Sequence, residues 1–219
     1  MSEIIIHGVP GSPYVRMPLI TCEEKGAPYR LSPMGMGDSR APAHLARQPF
    51  GRIPAMEHGD FQLYEAQAIV RYIDQVCPGR SLTPADARAR ARMNQVMGIV
   101  DWYVMPSISS GLAFNRVIKP MFGMPVDEAA VAAALPQART CVAALADILG
   151  DQTYFTGDAI SLADIAAAAH LDFMPLFPEG RDMLTGSPLA AWLQRMMSRP
   201  SLQKTTMAAL RAALEPQPA

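Results

Sequence analysis

The first apolar run of the chain is short and β-branched, Ile4 to His7, and is stopped by Gly8-Val9-Pro10-Gly11. It predicts a buried strand followed by a turn. Ser12-Pro13 then opens a helical stretch, Tyr14 to Lys25, that closes at Gly26. Serine as cap, proline in the first turn and glycine as stop mark the two ends of that helix. Tyr29 to Leu31 predicts a second strand. The glycine-rich stretch Met34 to Gly37, ahead of Asp38-Ser39-Arg40, predicts an irregular loop, and Ala43 to Arg47 a short helix. Ile53 to Met56 and Phe61 to Tyr64 flank the turn-rich tetrapeptide Glu57-His58-Gly59-Asp60, which predicts a β-hairpin. From Glu65 to Val76, apolar residues at Ala68, Ile69, Tyr72, Ile73 and Val76 recur at helical spacing. The predicted order is β-α-β-α-β-β-α.

The pattern changes after Cys77. Two prolines and a glycine fall within Cys77 to Pro84, which predicts an interdomain linker at 78–84 between a domain at 1–77 and one at 85–219. Beyond it, alanine, leucine and methionine recur at helical spacing without a convincing strand. Helices are expected at about 85–116, 126–149, 161–174, 187–198 and 201–214, so the second domain is an all-α helical bundle. One boundary is marked twice: Ser161 can cap the helix that follows it, and Asp164 can reach back as a capping-box acid.

Length is consistent with two modest domains, and 50% hydrophobic against 18% charged residues is enough to bury a core in each. The net charge of −1 gives no reason to expect nucleic acid or an anionic membrane as partner. Arg88, Arg90 and Arg92 form the one local basic cluster, and helical spacing scatters them around the axis. The first residues lack the pattern of a secretory signal, and no run of 18 uncharged apolar residues occurs, so a cytoplasmic location is expected. Cys22, Cys77 and Cys141 are odd in number and far apart, which argues against a disulfide framework or a CxxC redox centre. Four scattered histidines form no metal-ligand pattern.

Candidate chemistry lies at helix starts. A strand that ends in a glycine-proline loop and feeds a helix places backbone N–H groups where an anion can sit. Ser12 stands there, able either to cap the helix or to hold a bound thiol as thiolate. Glu65 starts the helix after Phe61 to Tyr64, where a carboxylate gains from the helix dipole or can receive an ammonium group. Pro54 fits an edge position or a cis bond.

With these pieces in order, the chain resembles the glutathione S-transferases, most closely their phi class. Gln48-Pro49-Phe50-Gly51-Arg52-Ile53-Pro54-Ala55 looks like the family's NPFGQIPA segment, and Tyr64-Glu65-Ala66-Gln67-Ala68-Ile69 like its FESRAI segment. Gly8 to Gly26, Ile118 to Gly123 and the Ser161 to Asp164 cap extend the resemblance over nearly the whole chain. It implies a thioredoxin-like α/β N-terminal domain that binds glutathione, a helical C-terminal domain that supplies most of the pocket for the co-substrate, and a homodimer. Glutathione is then co-substrate, and no metal is needed. Ser12 is implied as the hydroxyl that stabilises the thiolate, Ile53 as the backbone contact to the tripeptide's cysteine, Pro54 as cis, and Glu65 as the residue facing the γ-glutamyl end. Val9, Met105 and Phe114 are implied as lining for a hydrophobic electrophile.

The departures are specific. Ser39-Arg40 replaces a histidine-lysine pair that holds the glycine carboxylate, though an arginine can still grip a carboxylate. Arg52 stands where glutamine is usual. Ala66 replaces a serine that binds the γ-glutamyl carboxylate, leaving only a backbone N–H, and Met17 takes the register of the family's arginine, which here falls at Arg16. The rival reading is a non-catalytic glutathione-transferase-like protein that binds hydrophobic ligands or acts as a scaffold. With no cysteine at positions 8 to 16, thiol-disulfide exchange is disfavoured.

Overall fold

A computed structural model describes residues 2–214; residue 1 and residues 215–219, at the outer ends of the two expected domains, lie outside it. The chain divides into two compact units, one running to Thr83 and resumed at Ser198, the other Pro84–Met197.

The first unit begins with β1 (Ile4–Gly8), α1 (Pro13–Lys25), β2 (Tyr29–Pro33) and the short α2 (Pro42–Leu45). β3 (Ala55–His58), β4 (Phe61–Tyr64) and α3 (Ala66–Val76) complete the expected order. The four strands form one sheet in the order β2-β1-β3-β4, with β1 and β2 parallel and the other pairs antiparallel. Ile4 and Ile6 of β1 pack with Val15, Leu19 and Cys22 of α1 and Ile69 and Ile73 of α3 in one buried cluster. Ile4 and Ile6 share a face because strand side chains alternate, and Ile69 and Ile73 because helix neighbours recur four residues on. The hairpin differs from expectation at its turn. Glu57 and His58 are ladder residues opposite Gln62 and Phe61, which leaves Gly59-Asp60 as a two-residue turn. β3 starts at Ala55 instead of Ile53, just after the Ile53–Pro54 peptide, which is cis.

The segment after α3 is tied to this unit. Lys25 Nζ donates to Asp74 Oδ1 at 3.1 Å and to the Arg80 carbonyl at 2.9 Å, and the Leu82 N–H donates to Asp74 at 2.8 Å. Both ions of the Lys25–Asp74 pair are buried, where loss of one partner would strand the other.

The second unit is all helical. α4 (Ala87–Ile99) continues without a break through a π-helical stretch, Val100–Ile118, into α5 (Lys119–Met121), five residues past the expected end. The wide winding is visible where the Lys119 N–H bonds to the Phe114 carbonyl five residues back. α6 (Glu128–Leu149) follows; its length and composition would suffice to cross a bilayer. It also carries Pro136 and Arg139 and buries Val131, Ala138, Cys141, Val142, Leu145 and Leu149 against the unit. α7 (Leu162–Leu171) stops three residues before its expected end. Pro175 and Pro178 cannot continue it, and α8 (Pro178–Leu184), which the sequence did not predict, starts on the second of them. α9 (Pro188–Met197) closes the unit.

The stretch expected as one helix at 201–214 is two, α10 (Pro200–Lys204) and α11 (Met207–Leu214), and both belong to the first unit instead of the helical domain at 85–219. The cause lies in α1. The buried Arg16 guanidinium donates from Nε to the Thr205 carbonyl at 2.8 Å, Glu24 is paired with Arg199 at 2.6 Å, and Glu23 with Lys204 at 2.8 Å. Leu210 completes the cluster around β1.

Candidate functional site

The sheet register gathers the expected site at one end of the first unit. Gly8 ends β1 opposite Pro33, the last residue of β2, and His7 faces Ala55, the first residue of β3. Ala55 in turn faces Tyr64, the last residue of β4. The segments carrying Val9 and Ser12, Met34 to Arg40, Ile53-Pro54, and Glu65-Ala66 therefore all leave the sheet at the same edge.

Ser12 occupies the cap position of α1. Its N–H donates to the Val9 carbonyl at 3.1 Å, and its carbonyl accepts the first helical bond from Arg16 N–H at 2.9 Å. The half-buried side chain caps nothing: its hydroxyl makes no bond to the helix. The loop before it is pinned from below. Gly11 has φ 87, and a Cβ there would fall 2.7 Å from the Cβ of Met207 on α11, so glycine is required both by backbone and by contact.

The approach to the cis peptide is held by two buried side chains that the sequence reading had not singled out. The Gln48 carboxamide oxygen accepts from the Phe50 N–H at 2.7 Å and the Arg52 N–H at 3.2 Å, and His44 Nε2 lies 2.7 Å from the Arg52 carbonyl. The available signal was their spacing, four residues apart on either side of the end of α2, ahead of a loop with no secondary structure of its own. Ile53 is half-buried and Pro54 buried, while the Arg52 side chain is exposed. Arg40 reaches this loop: a Cβ on Gly51, whose φ is 62, would lie 3.0 Å from Arg40 Cδ and 3.1 Å from the Ser39 carbonyl. The structure thus brings Ser39 and Arg40, on the short turn Asp38–Arg40, against Gly51.

Glu65 has φ 72 and ψ 111, a region that a side chain with a Cβ adopts only under constraint. Its carboxylate is exposed and caps no helical N–H. Ala66, the first residue of α3, is buried, and the start of a helix leaves N–H groups without intrahelical acceptors.

Beneath the site, Glu57 accepts from Arg47 Nε at 2.5 Å and lies 3.3 Å from His7 Nε2. The Arg47 hydrogen bond holds the Glu57 carboxyl below its ordinary range, and burial keeps His7 below its own. Burial pushes the Cys22 thiol well up, which leaves it little thiolate for exchange chemistry.

Met105 and Phe114 are half-buried on the π-helical stretch of the second unit, and Val9 is half-buried in the first. A cavity of about 250 Å³ within the second unit is lined by Ile99, Tyr103, Gln137, Thr140, Cys141 and Ala144, and by neither Met105 nor Phe114. Among the described residues, no cluster of three or more His, Cys, Asp or Glu side chains could hold a metal ion.

Two family models match the chain: the glutathione S-transferase N-terminal domain over residues 6–81 and the glutathione S-transferase C-terminal domain over residues 99–200. The chain belongs to the glutathione S-transferase family. Among relatives of this transferase, a glutathione S-transferase of Hyoscyamus muticus is 31% identical, the alignment covering 91% of this chain and 95% of that one. Glutathione S-transferase 3 of Zea mays is 30% identical over 95% of both. The apo structure of a glutathione S-transferase III superposes with a TM-score of 0.83 at 30% identity, covering 99% of this chain and 100% of the other. A maize glutathione S-transferase I, solved with an atrazine glutathione conjugate, superposes with a TM-score of 0.81 at 26% identity over 97% and 99% of the two chains. The relatives include plant phi-class enzymes, and the thioredoxin-like α/β domain with its mixed four-stranded sheet is the fold the resemblance implied.

Proposed function

We propose that the chain joins the sulfur of glutathione to a hydrophobic electrophilic small molecule, with the Ser12 hydroxyl donating a hydrogen bond to the thiolate. The observation that carries this reading is the uncommitted Ser12 hydroxyl, at a helix start on the sheet edge that also carries the cis peptide. A hydrogen bond to the charged form lowers a thiol's pKa and raises the fraction of nucleophile near neutral pH. The thiol proton passes to solvent, the sulfur forms its bond to the electrophilic carbon, and the displaced group leaves with its electron pair. The protein's remaining task is to orient the two reactants.

In this reading the Ile53 backbone holds the tripeptide's cysteine residue, and Glu65 receives the γ-glutamyl ammonium. The Ala66 N–H binds the γ-glutamyl carboxylate, and Ser39, Arg40 and Arg52 bind the glycine carboxylate. Glu65 is supported by its constrained backbone and exposed carboxylate, and Arg40 by its stem lying over Gly51. Val9, Met105 and Phe114 are the residues assigned to the electrophile, an assignment carried by the family resemblance alone. The same resemblance carries the pairing of two subunits.

Calorimetric titration with glutathione, joined to a conjugation assay with an aryl halide, tests the proposal on the wild type and on Ser12→Ala. Saturable binding and a loss of turnover in the variant are expected. No binding at millimolar glutathione contradicts the proposal and leaves the rival, a non-catalytic ligand-binding or scaffold protein, which the alanine at position 66 favours. Ala66→Ser restores a hydroxyl and should tighten glutathione by roughly ten- to a hundredfold, the worth of one charge-assisted hydrogen bond.

A further inference from the structure

We infer that His44 is a positioning residue for glutathione: it sets the orientation of the Arg52–Ile53 peptide plane and so aims the Ile53 N–H at the tripeptide. A carbonyl oxygen only accepts, so at 2.7 Å from it His44 Nε2 carries the proton and donates. Gln48 fixes the other side of the same residue by accepting the Arg52 N–H. Position 52 is therefore tied at both its N–H and its C=O by side chains that are 1% and 4% exposed.

The consequence follows from peptide geometry. The Arg52 C=O and the Ile53 N–H belong to one planar group, and the cis bond of this region is the next one, Ile53–Pro54. In a trans peptide the two dipoles point in opposite directions. Drawing the carbonyl inward to His44 turns the Ile53 N–H away from α2. Without His44 the part-buried carbonyl would lose its donor, and the plane would gain by rotating toward water.

The inference rests on the reading of the Ile53 backbone as the glutathione contact, and its test separates the two. His44→Leu removes the donor. His44→Gln returns an amide N–H at comparable reach. Glutathione affinity, the KM and kcat of aryl halide conjugation, and hydrogen exchange of the Ile53 amide are measured on all three proteins. His44→Leu should raise the glutathione Kd and KM about tenfold with kcat at saturation within about twofold, change exchange at the Ile53 amide, and be rescued in each by His44→Gln. A purely structural role would lower the melting temperature and leave the Kd of the folded protein alone, and wild-type affinity in His44→Leu overturns the inference. If the wild type itself fails to bind millimolar glutathione, the functional reading falls, and unchanged Ile53 exchange in His44→Leu then overturns the positioning role on its own.

Discussion

Ser12 and Ser161 each stand at the start of a helix, one in each unit, and the two serines do opposite things. Ser161 is 1% exposed, and its hydroxyl and N–H both lie 2.9 Å from the Asp164 carboxylate three residues on. That carboxylate is fully buried and also accepts from the Phe155 N–H and from Trp192 Nε1, each at 3.0 Å. Burial pushes the Asp164 carboxyl above its ordinary value against the pull of these donors. Ser12 stands before a helix with no acid in its first turn, Val15 holding the place that Asp164 has in α7. Its hydroxyl bonds to no helical group. Of these two serines, the one met by an acid three residues on is structural, and the other keeps a hydroxyl that bonds to no helical group.

The largest effect should come from Asp164→Ala. Removing the carboxylate strands three buried donors besides Ser161 Oγ, and the loss in urea unfolding should be roughly 3–5 kcal/mol, with turnover per folded molecule kept. Ser12→Ala should show the inverse profile. Its kcat/KM falls roughly ten- to a hundredfold, as expected for one hydrogen bond to a charged group, while its stability stays within about 0.5 kcal/mol of wild type. Ser161→Ala should cost about 1 kcal/mol, the usual worth of a cap, and leave kcat/KM untouched. A Ser12→Ala variant that unfolds as easily as Ser161→Ala would erase the contrast, since both hydroxyls would then be structural.

Local punctuation made much of the first unit legible. Gly8 to Gly26 carries its turn, cap position, first-turn proline and stop in order, and α1 forms between those marks. What stayed hidden depends on partners far along the chain. Arg16 stands one position away from the register of the family's arginine, and only the folded chain shows it donating to the carbonyl of Thr205, which draws α10 and α11 onto the first unit. Glu57 and His58 have turn-forming neighbours, yet pairing with β1 and β4 keeps them in the ladder. The π-helical winding of 100–118 is invisible to a pattern that counts only helical spacing. Within the site, the residue types at Ser12, Pro54 and Glu65 could be read from motif and position. His44 and Gln48 could not, because they act on the backbone of another segment, and such contacts leave no mark in hydrophobic periodicity.

The most direct measurement is the titration of the glutathione thiol in the bound state, followed by thiolate absorbance in the wild type and in Ser12→Ala. The account predicts a thiol pKa below the ordinary value of about 8.5 in the wild-type complex, returning toward it when the hydroxyl is removed. Identical titration curves for the two complexes, both saturated with glutathione, would contradict it.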